Sequence, residues 1–72
     1  MEFIRVAYYP KGQLGPIVHP VAADDVEAAI DATEATIAEL TREHSLLRLE
    51  LLEPKHHRLV AEWDGSAWSR RS

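Results

Sequence analysis

The sequence predicts an α+β domain in which one long helix packs on one face of a small mixed, mostly antiparallel sheet, in the order β-α-β-β(-β). Three observations carry that expectation. Phe3 to Tyr9, Leu46 to Glu53 and Arg58 to Trp63 alternate with the period of two that marks half-buried strands. Between the first two lies a stretch, Asp24 to His44, whose apolar residues recur with helical spacing. Asp64-Gly65-Ser66 is a tight-turn signal that folds Ala67 to Arg70 back as a short last strand.

In the first strand Ile4, Val6 and Tyr8 share one face, and Phe3, Arg5, Ala7 and Tyr9 the other. Pro10 ends it, and residues 10–23 read as a long loop with Pro10, Pro16, Pro20, Gly12 and Gly15. Ile17 and Val18 form at most a short extended piece within that loop. Asp24 is the expected N-cap of the helix, and Glu27 three residues on completes a capping-box pattern. Val26, Ile30, Thr33, Ile37 and Leu40 fall in one arc of about 80°, the face expected to meet the core. At about 1.5 Å per residue such a helix is on the order of 30 Å long. Leu47, Leu49 and Leu51 are expected to face inward in the second strand, and Leu59, Ala61 and Trp63 in the third. A two-residue Gly65-Ser66 loop would make Trp63 and Trp68 cross-strand neighbours. A crossover through the helix would set the first two strands parallel. Residues 1–72 form one compact domain, with 70–72 read as a frayed tail.

Composition bounds the function. Seventy-two residues without cysteine leave a small core as the source of stability, unless a partner or second copy helps. The formal charge of −4 is unevenly spread. Residues 24–44 hold seven acids (Asp24, Asp25, Glu27, Asp31, Glu34, Glu39, Glu43) against Arg42, a balance of −6, while the other 51 residues balance at +2. Net acidity argues against direct nucleic-acid binding, which needs a basic face. No apolar run approaches the roughly 18 residues of a membrane span, and Met-Glu-Phe-Ile-Arg-Val lacks a signal peptide's basic start. The cytosol is the expected location. The four histidines match no zinc spacing, and no phosphate loop or nucleophile elbow occurs, so no metal, no cofactor and no catalysis are expected.

Two faces remain as binding surfaces. The first is the acidic helix. A helix built for its own stability would place a base four residues after each acid, yet Glu27 is followed by Asp31 and Glu39 by Glu43. Solubility alone accounts for such a face, and so does docking on a basic partner. Glu27, Asp31 and Glu34 span about 10 Å of axis and would present charge somewhat as a phosphate backbone does, a partial DNA mimic. The second is the sheet face away from the helix, expected to carry Phe3, Ala7, Tyr9, Leu52 and Val60 with Arg5, Arg48, Glu50 and Glu62. The expected partner-binding residues are therefore Glu27, Asp31, Glu34, Glu39, Tyr9 and Val60.

In size, charge asymmetry and lack of a catalytic signature the chain resembles small acidic inhibitors encoded by phages and mobile elements, anti-CRISPR proteins among them. The resemblance implies a non-enzymatic protein that blocks a basic surface of a larger nucleic-acid-handling protein or nucleoprotein complex. The alternative is a self-assembling structural or accessory protein that homodimerises through its sheet face.

Overall fold

A computed structural model describes residues 1–12, 14–42 and 44–71. Seven elements follow one another: β1 (Glu2–Tyr8), β2 (Ile17–Ala22), α1 (Val26–Glu34), α2 (Ile37–Leu40), β3 (Arg48–Leu52), β4 (Leu59–Trp63) and β5 (Trp68–Arg70). The strands form one sheet in the order β2-β1-β3-β4-β5, and every neighbouring pair is antiparallel. The expected mixed sheet is thus fully antiparallel, and β1 runs against β3 rather than with it. The reason is β2, which the sequence hid. Pro20 lies in its middle, and proline in a strand reads as a break because it cannot donate to a ladder. Here β2 is an edge strand, where that loss is tolerated. The chain returns along β2 before it enters the helix, so β3 runs antiparallel to its neighbour β1.

The single long helix is also two short ones. Asp25, not Asp24, is the N-cap, its carboxylate accepting from the Ala28 amide at 2.8 Å. α1 ends at Glu34, about 13 Å from its start. Thr33 and Thr36 stop it. The Thr36 hydroxyl donates to the Thr33 carbonyl at 2.7 Å, and the Thr36 amide bonds the same oxygen at 2.9 Å. Threonine hydroxyls compete in this way with the i→i−4 ladder, and β-branching lowers helix propensity further. α2 then begins at Ile37.

The core lies between the helices and one sheet face. Phe3, Val21, Ala29, Ile30, Leu51 and Ala61 form its main cluster, while Ala7, Tyr9 and Leu49 form a second beneath α2. Register explains the membership. Arg5 pairs with Leu51 and Ala7 with Leu49, so the odd-numbered residues of β1 face the helices. That reverses the face expected for β1: Phe3, Arg5, Ala7 and Tyr9 are inside, and Ile4, Val6 and Tyr8 look out on the uncovered side. Leu47, expected inside, is 53% exposed, and Leu46 packs on the second cluster instead. Val60 stands where the β3–β4 register shifts, and it packs against the main cluster rather than on the open face.

The closing hairpin follows the sequence. Trp63 and Trp68 are cross-strand partners. Asp64 accepts from the Ser66 and Ala67 amides at 2.9 and 3.0 Å, and Gly65 takes φ 106°, a conformation glycine adopts without penalty. Arg70 and Arg71 are not a frayed end: Arg70 pairs with Ala61, and the Arg71 amide donates to the Val60 carbonyl at 2.9 Å. Ser72 lies outside the described residues. Trp68 is half-buried and packs on both clusters. Trp68→Ala is expected to cost about 2 kcal/mol, somewhat less than a fully buried aromatic, and to lower the melting temperature in circular dichroism.

Candidate partner-binding faces

The helices put most of the acids on the solvent side. Glu27, Asp31, Glu34 and Glu39 are all exposed. They are not equally available. Glu27 is gripped by Arg70 of β5, whose Nε and Nη2 both reach the carboxylate, the second at 2.7 Å. This hydrogen-bonded pair holds the Glu27 carboxyl below the usual carboxylate range, and the same pair, with Asp31 adding to it, holds Arg70 more firmly charged. Glu39 meets Arg42 at 3.4 Å across an exposed helical step, an interaction of small worth. Asp31 and Glu34 make no ion pair among the described residues. The acidic face is therefore shorter than 30 Å and partly neutralised, with Asp31 and Glu34 as its uncompensated part. The Glu39–Glu43 half of the expected like-charge pattern reaches Glu43, which lies outside the described residues.

On the uncovered sheet face the antiparallel register sorts side chains into two halves. The β1–β2 half is apolar: Val6 lies opposite Val18, and Ile4 lies between Pro20 and Leu52. Val18 is 65% exposed. The β3–β4 half is charged. Arg48 stacks its guanidinium 4.0 Å from the centre of the Tyr8 ring and bonds Glu50 at 2.9 Å. Glu50 also accepts from the Tyr8 hydroxyl at 2.9 Å, and that bond, with lesser burial, pushes the Tyr8 phenol up. Arg71 closes on Glu62 at 2.6 Å. Sequence reasoning missed Val18, Val6, Ile4 and Tyr8 because it placed Arg5 in solvent and so turned β1 over. Tyr9, expected on this face, is instead buried beneath α2, its hydroxyl donating to the Leu40 carbonyl at 3.1 Å and its ring edge-on to His44.

The free edge of β2 is blunted. The Ala23 amide donates to the Met1 carbonyl at 2.9 Å, which sets the hydrogen-bonding phase of the β1–β2 ladder. By alternation, Val18, Pro20 and Ala22 aim their backbone groups away from β1. Pro20 has no N–H to offer at the centre of that edge, and its carbonyl oxygen lies 2.7 Å from His19 Nδ1. Another strand would find few partners there.

Among the described residues no three His, Asp or Glu side chains are grouped to hold a metal ion. No helix among them is long and apolar enough to cross a membrane. The fold defines the class, a small antiparallel sheet backed by two helices. No protein-family model, curated protein or solved structure matches the chain.

The carboxylates bear on acid stability. Asp64 is held below its ordinary pKa by the Ala67 and Ser66 amides, and Glu27 by Arg70. A carboxyl group whose pKa is lower in the folded state favours folding above its unfolded value, and that contribution disappears as pH falls through the folded value. Urea midpoints should therefore be flat between about pH 7 and 5 and fall below about pH 4. Asp64→Asn should remove part of that fall.

Proposed function

We propose that this is a non-enzymatic protein-binding domain that docks its acidic helical face on a larger basic protein or nucleoprotein complex. In this reading it acts in the cytoplasm as an inhibitor of the phage or mobile-element kind, anti-CRISPR-like, by occupying a surface that otherwise holds nucleic acid. The observation that supports it is the pair Asp31 and Glu34, exposed on α1 and without an ion pair among the described residues. Arg70 already lies on Glu27 one turn earlier, so the same face accommodates a guanidinium within the molecule. Exposed charge pairs steer association and are screened by salt. The complex should compete with nucleic acid and weaken as ionic strength rises. Binding that is indifferent to salt and to nucleic acid would remove this reading.

A second reading has its own observation. Val18, Ile4, Pro20 and Leu52 form an uncharged half-face on the sheet around Val6, which is itself already buried. A second copy of the chain would cover it face to face, since the β2 edge is poorly suited to strand pairing. Sedimentation would then show a dimer that Val18→Asp dissociates. A monomer at all concentrations would exclude it.

A further inference from the structure

Arg5 is the residue that misled the assignment of faces in β1, and places where local pattern and fold disagree are where function is often kept. It sits between Phe3 and Ala7 on the helix-facing side and is only 7% exposed. Its guanidinium is charged at any physiological pH. Burial works against that charge and lowers its pKa. Buried charges ordinarily have a counter-charge. Among the described residues no carboxylate pairs with Arg5. Among the described residues its hydrogen bond is from Nη1 to the Thr36 hydroxyl, 3.3 Å long, and its buried Nε has no partner. The fully buried hydroxyl of Thr33 also has no partner among the described residues. The two groups are linked through Thr36, whose hydroxyl accepts from Arg5 and donates to the Thr33 carbonyl.

The cover over them is slight. α2 is four residues long, and its N-cap Thr36 makes no capping bond. An open groove of about 300 Å³ runs beside it, bordered by Tyr9, Leu14, Ile17, Leu40 and His44 and by the charged pair Glu39 and Arg42. Ile17 and exposed His19 share the helix-facing side of β2, and His19 lies directly opposite Arg5. Arg5 does not line the groove itself; Ile17 of the groove wall lies two residues from His19, the cross-strand neighbour of Arg5.

We propose that Arg5 anchors a binding site for a small carboxylate or phosphate anion, reached from this groove when α2 lifts at Ala35–Thr36. The anion takes two N–H bonds from the guanidinium fork and the hydroxyl hydrogen of Thr33, which satisfies the groups now left unpaired. The site is separate from the docking reading, since its contacts come from Arg5 and Thr33 and not from Asp31 or Glu34, although exposed Glu39 lines the groove.

Thermal unfolding with sodium acetate or inorganic phosphate, against sodium chloride at matched ionic strength, tests it. At ten times its Kd the bound anion should raise the wild-type melting temperature by roughly 5–10 °C. Arg5→Met should show no such rise, and in chloride it should melt higher than the wild type because the uncompensated charge is gone. Which anion acts separates carboxylate from phosphate recognition. Should Arg5→Met not fold, the Arg5 Nε–H resonance of the wild-type protein decides. It should move saturably with acetate or phosphate and not with chloride. An immobile resonance, or equal shifts of melting temperature in wild type and Arg5→Met, would overturn the proposal.

Discussion

Leu51→Ala is expected to remove about 3 kcal/mol of folding stability, while Leu47→Ala, four residues away, changes it by no more than about 0.5 kcal/mol. Leu51 is fully buried, lies between Arg5 and Ala61 in the sheet, and belongs to the cluster of Phe3 and Ile30. Its removal leaves a cavity within the main core cluster, with no disulfide to offset the loss. Leu47 is more than half exposed and lies just before β3. A domain of this length has roughly 4–10 kcal/mol of stability in all, so Leu51→Ala should lower the melting temperature by about 15 °C or more. Urea unfolding followed by the fluorescence of Trp63 and Trp68 measures both variants. Equal midpoints for the two would mean that the helix-facing side of the sheet is wrongly assigned.

Reversal of the two uncompensated acids, Asp31→Lys with Glu34→Lys, should weaken binding to the basic partner on the order of a hundredfold. Like charges would then meet across the interface. The fold should be little affected, because both positions are exposed and make no ion pair among the described residues, so that Asp31→Lys removes only a longer-range attraction to Arg70. Glu27 is best left in place. A lysine there would face Arg70 and disturb the contact between α1 and β5, so a loss of binding would have two explanations.

Much of this architecture was legible in the sequence, and the failures have physical causes. Strands β1, β3 and β4 follow from alternation, and β5 and the Trp63–Trp68 pair follow from the turn chemistry of Asp64 and Gly65. β2 was hidden because Pro20 is forbidden in a central strand and allowed at an edge, and edge status is a property of the whole sheet. The helix break was hidden because Thr33 fits the apolar arc, while the Thr36 hydroxyl acts on the Thr33 carbonyl only in three dimensions. The face of β1 was misread because an arginine was assigned to solvent. Of the expected binding residues, Asp31 and Glu34 are exposed and make no ion pair among the described residues, Glu27 and Glu39 are engaged within the chain, and Tyr9 and Val60 belong to the core side. Local pattern reports what a residue prefers. Register decides which side of the sheet it occupies.

The most direct test of the docking account is a parallel capture from bacterial lysate with the tagged wild-type protein and the Asp31→Lys/Glu34→Lys variant, washed in steps of rising salt and analysed by mass spectrometry. The account predicts a basic nucleic-acid-handling complex that the wild type retains at low salt, releases as salt rises, and that the variant does not retain. Equal recovery by both proteins, or recovery of the bait alone as a dimer, would contradict it.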